Sequence, residues 1–121
     1  MQQTRTAVVA RNGDGIVTVR IRAGARQSLS DAERNLSAAL MECNGGGCPL
    51  LVDIREAVPL DREVRRYYSG RVLGGFKAMA LLVTANPLGR MIGNIYLHVA
   101  NTGIPTRLFT DEESAIAWLK I

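Results

Sequence analysis

Two short runs constrain this chain more than any other feature. Residues 49–53 read Pro-Leu-Leu-Val-Asp and residues 78–83 read Ala-Met-Ala-Leu-Leu-Val, each between stretches of helical periodicity. Runs of this length, with no polar alternation, suit strands better than helices and leave no face for solvent. They fit central strands covered on both sides, and such strands belong to parallel sheets whose crossovers are helices. The expected class is therefore α/β.

The rest of the chain fits around those two strands. Residues 6–11 and 16–22 read as strands joined by Asn12-Gly13-Asp14-Gly15, a turn whose residues tolerate positive φ, so the chain should open on a hairpin. In the second of them Val17, Val19 and Ile21 alternate with Thr18, Arg20 and Arg22, which gives one buried and one wet face. Ser30-Asp31-Ala32-Glu33 has the form of a capping box with Ser30 as N-cap, followed by Leu36, Ala39, Leu40 and Cys43 at helical spacing. Asp61 opens a second helix reaching about Phe76, with Val64, Tyr68, Val72 and Phe76 four apart, and residues 77–84 form the next strand. Asn86-Pro87 is an N-cap followed by proline at the first helical position, ahead of an apolar stripe of Leu88, Met91, Ile92, Ile95, Tyr96 and Val99. Residues 106–109 make a short strand. Thr110-Asp111-Glu112-Glu113 is a second capping box, starting a helix that buries Ala115, Trp118 and Leu119. The order β-β-α-β-α-β-α-β-α predicts a mixed sheet of about five strands with a parallel centre and about four helices, in a single domain over residues 1–121.

Composition narrows the function classes. With 47% hydrophobic and 21% charged residues the chain is globular rather than disordered. No apolar run approaches the ~20 residues that span a bilayer. Residues 1–10 lack the apolar core of a secretory signal, so a cytoplasmic protein is expected. Thirteen of the fifteen cations are arginine in a chain of net charge +4. Arginine makes bidentate contacts to carboxylates and phosphates, which suits an acidic partner. Without a dense basic tail, and with 5% aromatic residues for stacking, nucleic acid is not the expected partner.

No set of residues converges on catalysis. Cys43 and Cys48 flank Asn44-Gly45-Gly46-Gly47, and the one histidine, His98, lies far from them in sequence. That is short of the four ligands of a structural zinc site, and in a reducing compartment the pair reads as two free thiols. The three glycines follow a helix and enter a strand, the reverse of a phosphate loop, so they read as a helix stop. His98 falls off the main apolar stripe and has no paired nucleophile. Asp53 and Asp61 are the carboxylates placed for acid–base work, and Asp61 more simply caps the helix after it. The expectation is a protein that is not an enzyme, without cofactor or metal.

Two surfaces stand out. Arg62, Arg65 and Arg66 lie on adjoining turns of the second helix with Arg71 beyond them; cations at a helix N-terminus oppose the macrodipole, so they suggest a docking face. Gly93 and Asn94 interrupt the third helix, where a glycine permits close backbone approach; with Arg90 and Gly89 they mark a possible ligand or dimer surface.

The strand ending at Asp53, with Asp61 eight residues later at a helix start, resembles the SpoIIAA-like STAS fold of sulfate transporters and anti-sigma-factor antagonists. The segments PLGRMIGN and PTRLFTDEESAIAWLK look like those of an uncharacterised bacterial STAS-like family, also described as related to the CRAL-TRIO lipid-transfer fold. The resemblance covers nearly the whole chain. Antagonists of that kind carry a phosphorylatable serine after the second aspartate, whereas Arg62, Glu63 and Val64 follow Asp61 here, so a serine switch is not expected. The resemblance implies a regulatory module that binds a protein partner through the helix starting at Asp61. Self-association into a homodimer, through a sheet edge or the third helix, is also expected. The alternative it implies is a small-molecule or lipid carrier with a cavity beside Phe76, Met91 and Ile95.

Overall fold

The computed structural model describes the backbone of residues 1–71, 75–99 and 104–121, and side chains outside 68–74 and 95–103. The elements are β1 Gln2–Gln3, β2 Ala7–Arg11, β3 Val17–Ile21, α1 Leu29–Cys43, β4 Cys48–Asp53, α2 Arg62–Arg71, β5 Phe76–Leu82, α3 Pro87–Val99, β6 Thr106–Phe109 and α4 Glu112–Leu119. They build a six-stranded sheet in the order β1-β2-β3-β4-β5-β6. The first two pairings are antiparallel and the remaining three parallel. The α/β class and the parallel centre are as expected. The sheet has a sixth strand, β1, which at two residues is too short to show an alternation.

Core placement follows from strand alternation. Val17, Val19, Leu50, Met79 and Leu81 point to one face, where they meet Ala32, Ala38 and Ala39 of α1, Val64 of α2 and Ile92 of α3. Ile16, Leu51, Ala80 and Leu82 point to the other, against Ala115 and Leu119 of α4. β4 and β5 are covered on both faces, which is why their sequences lack polar alternation.

Several boundaries move. α1 is capped by Ser28, not Ser30: the Asp31 amide donates to Ser28 Oγ at 3.2 Å and Ser28 N–H donates to Asp31 Oδ2 at 2.8 Å. Both serines have an acid three residues on. Asp31 is also held by Arg5, and that long-range bond selects the register. α1 then buries Asp31 and Asn35, while Leu40, expected inside, is 40% exposed. Asn35 donates to Thr6 Oγ1 at 2.8 Å and to Gln27 Oε1 at 3.3 Å and accepts from Thr4, so its burial is hydrogen-bonded. α4 is capped by Asp111 rather than Thr110, its carboxylate accepting the Ser114 amide at 2.8 Å. Phe76, expected to close the second helix, begins β5 and is buried. Tyr68 and Val72, its companions in that expectation, lie outside the described side chains, as do Ile95, Tyr96, His98 and Val99.

The cysteines are joined rather than free, with Cα atoms 5.8 Å apart. Asn44 takes the left-handed conformation at φ 52°, and Gly45, Gly46 and Gly47 all have positive φ. This tight reversal brings the first residue of β4 back over the last residue of α1. The glycines do stop the helix, as expected, and they also close a disulfide loop.

Candidate functional site

In the parallel part of the sheet the chain leaves every strand at the same end. The connections after β3, β4, β5 and β6 therefore cluster beyond the carboxyl ends of the strands, the end where open α/β sheets place their ligands. Charge gathers at this end in two constellations.

The first joins the β3–α1 loop to α2. Asp61 precedes the helix, and its carbonyl accepts the Arg65 amide at 3.0 Å. Its carboxylate does not cap: it turns to Arg26, with Nη2 to Oδ1 at 3.0 Å and Nε to Oδ2 at 3.4 Å. The Arg26 guanidinium, helped by the charge of Arg65, holds the Asp61 carboxyl below the usual carboxylate range. From this anchor Arg62, Arg65 and Arg66 rise at the i, i+3, i+4 spacing of one helix face, while Val64 turns into the core. Arg62 and Arg66 are exposed and Arg65 is half-buried. Arg62 forms no ion pair among the described residues. The side chain of Arg71 lies outside the described residues. Arg5 stands close by, donating to the Arg26 carbonyl at 2.7 Å while it binds Asp31. Four elements thus hold this basic surface in shape.

The second constellation surrounds Asp53 at the end of β4. Burial pushes its pKa up, but the Arg55 side chain and amide, with the charge of Arg20, outweigh burial and hold the carboxylate below its ordinary value. Arg55 binds both oxygens, Nε to Oδ1 at 3.0 Å and Nη2 to Oδ2 at 2.8 Å, and Arg20 Nε reaches Oδ2 at 3.2 Å. Glu112, in the first turn of α4, lies 3.9 Å from each guanidinium. Asp53 and Asp61 are thus engaged by different arginines and do not form a carboxylate pair. Among the described residues no cluster of His, Cys, Asp or Glu is placed to hold a metal ion.

The surface expected on α3 divides. Arg90 and Asn94 are exposed, whereas Gly93 faces the sheet, where an added Cβ would lie 2.7 Å from Leu108 and 2.8 Å from Val83. Gly89 is likewise closed, against Thr84. Both glycines serve packing on β5 and β6. Met91 is 51% exposed and Phe76 is buried in the core. Ile95 lies outside the described side chains.

Arg26, Arg5, Arg20 and Arg55 escaped the reading of the sequence. Arg55 sits two residues from Asp53, which is a usable local signal. The other three meet their acids across 33, 35 and 26 residues of chain, and no local pattern reveals that.

The sheet order and the four helices give an α/β protein with a SpoIIAA-like fold. Its fold is shared with an uncharacterised protein of the DUF3478 family from Shewanella loihica PV-4, described as having a SpoIIAA-like fold, at 19% identity over 98% of each chain and a TM-score of 0.62. The chain itself belongs to the family Domain of unknown function (DUF7793), whose model matches residues 10–121. A protein of unknown function from Arthrobacter sp. FB24 is 29% identical over 94% of this chain and 99% of its own, with a TM-score of 0.36. No curated protein matches. No helix among the described residues is long and apolar enough to cross a membrane.

Proposed function

We propose that this chain is a non-catalytic, STAS-like interaction module of one domain that docks an acidic segment of a partner protein on α2 and the loop before it. The observation that carries the reading is the Arg26–Asp61 pair. It fixes the start of α2 against the β3–α1 loop while Arg62, Arg65 and Arg66 project from one face of the helix. Guanidiniums carried on one face of a fixed helix suit bidentate bonds to carboxylates. The positive end of the helix macrodipole adds to its attraction for anions.

Arg62, Glu63 and Val64 offer no hydroxyl, so the surface works without a phosphoserine switch. Asp53 is saturated by two arginines and is a structural anchor rather than a general base. The carrier alternative finds no supporting observation at Phe76, Met91 or Gly93.

The test is capture of partners from source cells on immobilised protein. Arg62→Glu with Arg65→Glu should abolish capture of an acidic protein that wild type retains, with a melting temperature within a degree or two of wild type. Equal capture by both forms overturns the proposal.

A further inference from the structure

β6 is an outer strand of the sheet. The carbonyls of Pro105 and Phe109 accept the amides of Met79 and Val83, each at 2.9 Å. By strand alternation the main-chain groups of Arg107 also turn toward β5, and those of Thr106 and Leu108 turn away from it. Among the described residues these four N–H and C=O groups meet no hydrogen-bond partner. A row of unpaired main-chain groups on an outer strand is a template for another strand. Its flank is of the same character. The Arg107 guanidinium lies 5.3 Å from the Phe109 ring centre, Phe109 packs on Trp118 at 5.6 Å, and Leu108, Phe109 and Trp118 are all half-buried. Arginine and aromatic side chains are enriched at protein interfaces.

We infer that β6 pairs antiparallel with β6 of a second copy across a two-fold axis at Leu108, joining two six-stranded sheets. Symmetry and charge select this register. Outward-facing residues must oppose outward-facing residues, so the axis passes at Thr106, Arg107 or Leu108. An axis at Arg107 sets two guanidiniums directly opposite one another, which is unfavourable. An axis at Thr106 leaves only Thr106 paired within the strand, with Leu108 meeting Ile104, whereas an axis at Leu108 keeps Arg107, Leu108 and Phe109 paired with strand residues of the second copy. An axis at Leu108 pairs Leu108 with itself and Thr106 with Thr110. It also sets each Arg107 beside the Phe109 ring of the second copy, a cation–π contact made twice. The chain thereby supplies its own complement, which a strand of unrelated sequence does not.

Sedimentation velocity and amide exchange by NMR test this together. Wild type should sediment at twice the 13.1 kDa of one chain, with protection of the Thr106 and Leu108 amides that grows with concentration. Thr106→Pro removes an outward N–H without touching the β5 ladder, so it should be monomeric and melt as wild type does. Arg107→Glu should weaken the dimer roughly tenfold, the scale of cation–π contacts, and its mixture with wild type, which keeps one of the two contacts, should show an affinity between those of the two homodimers. This variant carries the test if Thr106→Pro fails to fold. A wild-type monomer at every concentration overturns the inference, as does a dimer whose Thr106 and Leu108 amides exchange freely. A mixed dimer tighter than that of wild type would place the axis at Arg107, with glutamate opposite arginine, and overturn the register. Protection of those amides in a monomer by an added extended peptide would overturn the second copy as occupant.

Discussion

At the scale of single residues, the glycines of α3 carry the clearest lesson. A mid-helix glycine costs ~1 kcal/mol against alanine, so its presence signals a close approach but not of what. Here the approach is internal: Leu108 and Val83 fill the space at Gly93, and Thr84 fills it at Gly89. The two sites differ in what must give way. A Cβ at Gly93 meets the ends of two side chains, whereas at Gly89 it meets the Thr84 hydroxyl at 1.9 Å and the Thr84 backbone oxygen at 2.6 Å. Gly93→Ala should therefore lose about 1–3 kcal/mol to overpacking, partly offset by helix propensity. Gly89→Ala should lose more, because backbone must move. Urea unfolding of the two variants checks the order, and a more stable Gly89→Ala would show the packing to be looser than described. Asn35 and Asp31 teach the converse. Both are polar, and both are buried because Thr4, Thr6, Gln27 and Arg5 reach them from other elements.

At the scale of elements, α1 and β4 show how far local signals reach. The helix, its stop at the glycines and the strand after them were all legible, because each rests on spacing within a few residues. The pairing of the cysteines was not, because it depends on the reversal that Asn44 and three positive-φ glycines make together. Closing so short a loop should contribute about 2 kcal/mol through the unfolded chain. Unreduced protein should then take up no alkylating reagent, and reduction should lower the melting temperature by several degrees. Alkylation of native protein without reductant would contradict the bond. The shift of the α1 cap from Ser30 to Ser28 has the same origin. Two capping boxes compete locally, and a distant arginine on Asp31 decides between them.

At the scale of the whole molecule, the connections at the carboxyl end of the sheet depend on arginine–carboxylate bonds. Asp31, Asp53 and Asp61 all have pKa values depressed in the fold, Asp31 first by its hydrogen bond from Arg5 and Asp61 first by that from Arg26; Asp53 is depressed despite its burial, by Arg55 and Arg20. A depressed folded pKa gives stability that is fully present above the unfolded value. It is lost as pH falls through the folded one. The urea midpoint should thus be insensitive to these groups above about pH 5 and fall steeply below about pH 4. Asp53→Asn should flatten part of that acid limb while lowering the midpoint at neutral pH. A midpoint independent of pH down to the acid range would deny these bonds their role.

What the sequence determined by itself was the α/β class, the parallel centre and the positions of nine of the ten elements, because apolar runs, alternation and turn chemistry are local properties. It also marked α2 as the arginine-bearing helix. Only the tertiary structure decided the shape of the charged end, the disulfide and the place of β6 as an outer strand. Those depend on which residues meet after the sheet has assembled. Arg26 and Asp61 are 35 positions apart, and Thr106 and Leu108 face outward only because β5 takes the alternate residues of β6. Contacts of that kind are set by strand order and register, which no local pattern in the chain encodes.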